Sequence, residues 1–161
     1  MSKVKSKLVL TGVLCACAFG GIAIGVAWAT PSSGITTTIL SGPTLFDDDF
    51  KEKSESDINK VKIEMDGFSD VYVVHNKIVP GGHTGWHSHP GISIVTIRSG
   101  TATFYQADDP NTPHVFPAGS GFVEPAGHVH IGRNEGTTDL EIVVLQIVPF
   151  GAPRRVDAPA P

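Results

Sequence analysis

Two histidine-bearing segments, punctuated by glycines and prolines at fixed offsets, constrain the fold of this 161-residue chain more than any other feature. The first begins at Gly81 and contains His87 and His89, and the second leads from Gly119 to His130. Because alternate residues of an extended strand share one face, His87 and His89 are expected to point to the same side. Neutral imidazole is the commonest protein ligand for transition metals. The pattern therefore predicts a metal pocket that His130 closes from a separate hairpin.

Strand signals dominate the chain from residue 60 to residue 148. Segments with alternating or β-branched and aromatic residues are separated by Gly/Pro-rich turns, and Ser99-Gly100 is expected to be the turn of a hairpin. No amphipathic stretch of helical length follows the N-terminal segment. The predicted strands are 61–65, 71–79, 92–98, 101–107, 122–124, 128–131 and 140–148. Short strands with such turns predict an all-β sandwich or barrel.

The two segments resemble the two motifs of the cupin superfamily, G-x5-H-x-H-x(3,4)-E-x6-G and G-x5-P-x-G-x2-H-x3-N. The second motif is met at every fixed position, by Gly119, Pro125, Gly127, His130 and Asn134. The first motif is met at Gly81, His87, His89 and Gly100, but Ser93 stands where the family usually has glutamate. The agreement spans about a third of the chain, and the chain resembles a small, single-domain, exported bacterial cupin.

The resemblance implies an antiparallel double-stranded β-helix, the cupin or jelly-roll barrel, after an N-terminal export segment. It also implies one divalent transition metal, with Fe, Cu, Mn, Ni and Zn all open as its identity. With Ser93 in place of the glutamate, the implied ligands are His87, His89 and His130. Loss of the carboxylate raises the charge of the site by one, which favours an anionic substrate or a dioxygen-derived ligand.

Three-histidine cupins include thiol dioxygenases, diketone-cleaving dioxygenases and gentisate-type enzymes. The resemblance therefore suggests an exported oxidoreductase of the dioxygenase type that acts on a small organic substrate. One alternative is a non-enzymatic module that captures a small molecule or a metal ion with the same histidines. A second alternative is a sugar isomerase or epimerase, which would need an acid/base pair that the sequence does not show clearly.

Five further residues are candidates for the pocket or for the layer behind the metal ligands. Ser93 is expected either to hydrogen-bond a bound water or substrate or simply to pack. His128, two residues before His130, is a candidate second-layer residue or alternative fourth ligand. Glu124 is either a general base with a burial-raised pKa or an exposed strand-end carboxylate. Gln146 interrupts an apolar strand face and is expected in the pocket. Tyr105 either offers its phenol to a ligand or belongs to the core.

Residues 1–29 are expected to be a signal peptide. Lys3, Lys5 and Lys7 precede an uncharged stretch from residue 8 to residue 28, and Ala27-Trp28-Ala29 is a small-x-small cleavage signal. Two alternatives remain open: residues 8–29 as a membrane tether, and lipidation at Cys17. All three place the domain outside the cytoplasmic membrane, in the periplasm, in the medium or tethered and facing outward.

The remaining chain is expected to have three parts. These are an N-terminal arm and charged loop at 30–59, a barrel at 60–150 and a Pro-rich tail at 151–161 that could pack across a homodimer. Both cysteines precede residue 30, so the barrel cannot use a disulfide. Without the three signal-segment lysines, nine cationic and sixteen acidic residues leave a formal charge of −7. This balance argues against a nucleic-acid partner and leaves a small molecule as the expected ligand.

Overall fold

The computed structural model describes residues 28–161, which form an antiparallel β-barrel without helices. The all-β barrel predicted from the sequence is confirmed. The strands are Ser33–Phe46 (β1), Phe50–Glu55 (β2), Lys60–Met65 (β3), Ser69–His83 (β4), His87–Ser88 (β5), Ile92–Ser99 (β6), Thr101–Gln106 (β7), Asp109–Pro117 (β8), Gly121–Glu124 (β9), His130–Arg133 (β10), Leu140–Pro149 (β11) and Val156–Asp157 (β12).

The barrel has two facing layers. One layer has the strand order β1-β4-β11-β6-β9, and the other has the order β12-β5-β10-β7-β8. The layers meet where the end of β4 pairs with β10, at His83 and Arg133. The predicted turn between β6 and β7 contains Gly100, whose φ of 76° suits glycine. This topology brings β5, β9 and β10, which are far apart in sequence, around one interior.

The barrel interior is apolar at its centre. Alternation along β6 buries Val95 and Ile97, and β11 contributes Leu140 and Val144 to the same cluster. A second, smaller cluster joins Trp86 to Ile131 and Ala158. The apolar faces of the two layers therefore pack against each other, as the period-2 pattern requires.

Two strands lie outside the barrel sheet. The charged segment expected as a surface loop or short helix forms β2, which pairs with β3 along its whole length in a separate ribbon. Residues 60–65 were expected among the barrel strands, but they pair with β2. Cross-strand ion pairs such as Lys51–Glu64 stabilise the charged side chains on this exposed ribbon. Charge density alone did not distinguish this ribbon from a loop.

The C-terminal tail packs on its own barrel. Strand β12 pairs with β5, Ala158 is buried, and Ala29 bridges Pro159. The tail therefore covers the strand that carries His87. The N-terminal arm is more ordered than expected, since β1 pairs with β4 over most of its length.

The expected signal segment lies almost wholly outside the described residues, which begin at Trp28. Within residues 28–161, no helix has the length and apolar character needed to cross a membrane.

Candidate metal centre

The three predicted histidine ligands converge inside the barrel. His87 lies on β5, His130 begins β10 directly opposite it, and His89 follows β5. All three side chains are buried, and one nitrogen from each lies within 4.8 Å of the others. Strand alternation puts His87 and His89 on one side, and the pairing of β5 with β10 adds the third ring. These residues form a buried three-histidine cluster that could hold a metal ion.

Backbone carbonyls fix the orientation of all three rings. The Nδ1 atoms of His87, His89 and His130 lie 2.9, 2.6 and 2.9 Å from the carbonyl oxygens of Gly85, Arg154 and His128. A carbonyl can only accept, so each Nδ1 carries the proton and each Nε2 keeps its lone pair. The three Nε2 lone pairs are therefore available to one metal ion.

A metal ion fits this set of donors. The Nε2 atom of His130 is buried and has no hydrogen-bond partner among the described residues. A buried polar atom without a partner is costly, and a bound ion removes that cost. Three neutral imidazoles suit a divalent transition metal and leave coordination positions for other ligands.

The electrostatic environment disfavours protonation of His87 and His130. Burial, followed by the neighbouring His130 and Arg155, lowers the pKa of His87 to about 2. Burial also lowers the pKa of His130, with a smaller opposing effect from Glu124. Neutral rings are the form that binds metal, so the apolar surroundings prepare the ligands.

A carboxylate reaches the histidines from an unexpected strand. Glu124 ends β9 and is 8% exposed. Its Oε2 lies 3.2 Å from the Nε2 of His89, and its Oε1 lies 3.4 Å from the Nε2 of His130. The exposed strand-end alternative is therefore wrong, because β9 turns its last side chain into the barrel.

Ser93 and Gln146 are buried partners on neighbouring strands, and Gln146 contacts His89. Ser93 is fully buried, and its hydroxyl has no hydrogen-bond partner among the described residues. Gln146 pairs across the sheet with Ser93, is 4% exposed, and has its Nε2 3.2 Å from the Nδ1 of His89. Since His89 donates to the Arg154 carbonyl, this amide supports the ring by packing. Gln146 also lines the cavity beside the histidines.

Two other candidates do not reach the centre. The ring of His128 is exposed because the residue precedes β10, and only its carbonyl serves the site, by accepting from His130. The hydroxyl of Tyr105 donates to Glu135 on the outside. The expectation of an inward His128 ring is therefore wrong, since β10 begins only at His130.

Two arginines of the tail belong to the site and were missed by sequence reasoning. Arg154 supplies the carbonyl for His89 and donates from its guanidinium to the Oε1 of Gln146, 3.0 Å away. Arg155 lies close enough to oppose protonation of His87 and His130. Both line a cavity next to His87. The sequence signal, two adjacent cations in a Pro-rich tail, carries no information about a site 65 residues away.

The cavity beside the histidines is polar at one end and apolar elsewhere. Its volume is about 60 Å³. Phe104 and Phe122 contribute to its walls, together with aliphatic residues of β6 and β11. The ring of Phe104 lies 4.9 Å from that of His130, measured between centroids. The walls exclude bulk water, which strengthens electrostatic interactions at the site.

The buried neutral His87 should make the metal-free protein less stable in acid. An unfolded histidine takes a proton near pH 6.5, whereas folded His87, with its lowered pKa, does not. Between these values the unfolded state binds more protons, so the free energy of unfolding rises with pH. The His87 contribution should be about 1.4 kcal/mol per pH unit below pH 6.5.

Urea unfolding of chelator-treated protein from pH 7.5 to pH 5.0 measures this dependence. H87Q should show a shallower slope than the parent, while H114Q, which removes an exposed histidine, should keep the parental slope. Equal slopes for H87Q and H114Q would contradict a buried neutral His87.

Comparison with solved structures gives cupin relatives at low sequence identity. A cupin superfamily protein from Desulfitobacterium hafniense has 12% identity and a TM-score of 0.48, over 71% of this chain and 77% of that one. A cupin domain from Bordetella pertussis has 21% identity and a TM-score of 0.47, over 74% and 97%. A predicted oxalate decarboxylase from Thermotoga maritima has 24% identity and a TM-score of 0.43, over 51% and 82%. No curated protein matches the sequence.

The family model of the cupin domain matches residues 74–146. This range begins within β4, ends within β11 and includes the three histidines, Ser93 and Glu124. Residues 74–146 thus form a cupin domain, and this domain contains the three-histidine cluster.

Proposed function

We propose that this cupin is an exported, metal-dependent oxidoreductase of the dioxygenase type that acts on a small organic anion. The observation that carries the proposal is a cavity lined by His87 and His89, beside three histidines whose ring nitrogens converge within 4.8 Å. A structural metal site is closed by protein ligands, whereas open positions suit substrate binding and catalysis. A bound redox-active metal would polarise the substrate and mediate the transfer of electrons from the substrate to dioxygen.

The size of the cavity supports a small substrate. One water-sized group needs roughly 10–15 Å³ of such volume, so about 60 Å³ holds only a few. A second space, lined by Thr84, Gln146 and the two arginines, adjoins it at the histidines. A compact molecule can therefore approach the histidines from the side of the tail.

The charge around this approach supports an anion. Arg154 is held by Gln146 and lies over the ring of Tyr72, 5.6 Å from its centroid. Arg155 is partly buried and pairs with Asp157 on β12. Guanidinium groups are suited to bidentate recognition of carboxylates. We infer that Arg155 attracts the anionic group of the substrate and that Arg154 keeps Gln146 and His89 in place.

A non-enzymatic binding module is the second candidate. Among the described residues that line the histidine cavity, Glu124 is the only carboxylate, and no tyrosine or lysine faces it. Acid or base groups available for proton transfer are therefore few. The same scarcity of acid and base groups argues against a sugar isomerase, since the hydroxyl of Tyr105 is hydrogen-bonded to Glu135 and does not line the cavity.

Export is part of the proposal and predicts cleavage after Ala29. The backbone nitrogen of Thr30 lies 3.0 Å from the Ala158 carbonyl, so a new amino terminus at Thr30 could keep this contact with the tail. Mass spectrometry of protein from the cell envelope or medium should show Thr30 as the first residue. An intact Met1 or an acyl group on Cys17 would contradict cleavage there.

Metal binding should depend on each of the three histidines. H87A, H89A and H130A should each weaken the binding of Mn²⁺, Fe²⁺ or Zn²⁺ at least about 100-fold. A lost direct ligand costs more than its supporting partner, whose loss costs about 10–100-fold. Titration calorimetry and elemental analysis measure the effect, with H114A as the exposed control. Parental affinity in the H130A protein would place the metal elsewhere.

The metal-loaded protein should consume oxygen with small anionic substrates. Oxygen uptake is to be measured against thiols, diketones and phenols, each as an acidic and a neutral analogue. R155Q should raise KM for the anionic member by about 10-fold, as expected for a partly exposed charged contact, and leave the neutral member nearly unchanged. R98Q, at an exposed position, is the control. Tight ligand binding without oxygen uptake for every metal would favour the binding module.

A further inference from the structure

Glu124 lies across the sheet from Ser93, the position where the cupin-like pattern lacks its usual glutamate. In the cupin-like pattern, Ser93 on β6 stands where the family usually has its carboxylate ligand. Strand β9 pairs with β6 so that Glu124 lies directly across from Ser93. Facing residues of an antiparallel pair project to the same side of the sheet. A carboxylate on β9 therefore enters the same interior region as one on β6 would.

The distances from Glu124 match those between ligands of one metal ion. For metal–ligand bonds of about 2.1 Å, two donor atoms lie about 3.0 Å apart at a right angle and about 3.4 Å apart at the tetrahedral angle. The carboxylate oxygens of Glu124 lie 3.2 Å from the Nε2 of His89 and 3.4 Å from the Nε2 of His130. The spacing thus leaves room for one cation bonded to all three side chains.

The electronic character of these contacts also calls for a cation. His130 donates from Nδ1 to a carbonyl, so its neutral ring presents a lone pair at Nε2. A lone pair facing a carboxylate oxygen is repulsive, and the Nε2 of His130 makes no hydrogen bond to Glu124 or to any other described residue. A positive ion between the two groups converts this repulsion into two bonds.

Ser93 leaves the space that this arrangement needs. Its short side chain is fully buried and its hydroxyl has no hydrogen-bond partner among the described residues. A glutamate at the same position would compete with Glu124 for one region and place two carboxylates side by side. The short side chain of Ser93 on β6 therefore makes room for the long side chain of Glu124 on β9.

We propose that Glu124 is the fourth protein ligand of the metal, and that its carboxylate replaces the missing one from the neighbouring strand. This inference rests on metal binding by the three histidines. With the Glu124 carboxylate as a ligand, the net charge of the centre is one unit lower than with the three histidines alone. An oxygen ligand also favours harder ions such as Mn²⁺ and Fe²⁺ relative to a site of three nitrogens alone.

The test compares the removal of this charge with the removal of an exposed one. E124Q keeps the shape of the side chain, and E135Q makes the same change at an exposed position. Mn²⁺ affinity is measured by titration with electron paramagnetic resonance of the free ion, and Co²⁺ absorption spectra report the ligand set. E124Q should bind Mn²⁺ at least about tenfold more weakly than E135Q, which should match the parent. Its Co²⁺ spectrum should differ from the parental one.

A cross-strand exchange provides the rescue. The double variant S93E/E124Q returns the carboxylate to β6 and should regain most of the lost Mn²⁺ affinity. Circular dichroism and melting of the metal-free proteins show that each variant is folded. Should the double variant fail to fold, the comparison of E124Q with E135Q still decides the question.

Failure of this inference is distinct from failure of the proposed function. If H130A abolishes Mn²⁺ binding while E124Q binds like E135Q, the histidine site stands and Glu124 is not a ligand. A lower melting temperature of metal-free E124Q with E135Q-like Mn²⁺ affinity would assign Glu124 to a structural contact with His89 and overturn the inference. Parental Mn²⁺ affinity in H130A would overturn the metal site itself.

Discussion

The arrangement of this protein depends on three buried imidazoles, each held by a hydrogen bond from Nδ1 to a backbone carbonyl. Burial without that bond would be costly for each ring, and the bond leaves the opposite nitrogen without a proton. Two of the carbonyls are local, two residues before the histidine that they orient. The third comes from Arg154 in the tail. The tail is therefore part of the centre, and β12 on β5 keeps it there.

The same constraint explains why the polar groups gather at one end of the barrel interior. Aliphatic residues from β4, β6 and β11 fill the centre of the barrel and exclude water. The histidines and Glu124 form the polar end of the cavity, and the arginines of the tail lie beside it. Low polarity around the rings favours their neutral form, while the arginines provide positive charge near the approach. The proposed metal binding and the proposed recognition of an anion thus use different parts of one pocket.

Glu124 illustrates that the role of a residue depends more on its position in space than on its position in a sequence motif. Measured along the sequence, Glu124 is 31 residues from Ser93 and belongs to no ligand position of the cupin-like pattern. Across the sheet the two residues are partners. An antiparallel sheet offers a cross-strand neighbour for every inward position, so a side chain can be exchanged between strands with little displacement of its end group. Such an exchange leaves the histidines and their supporting carbonyls unchanged.

The sequence by itself determined the barrel, six of its strands (β4, β6, β7, β9, β10 and β11), and the three histidines, but it did not predict β5 or β8. These features depend on local information, namely residue alternation, turn glycines and the spacing of two motifs. Only the tertiary structure decided that Glu124 points inward, that His128 points outward and that Arg154 and Arg155 lie at the centre. It also decided that the charged segment is the ribbon strand β2. Each of these features depends on which strands are neighbours or on where a strand begins. The few residues around a side chain do not encode either of these two properties.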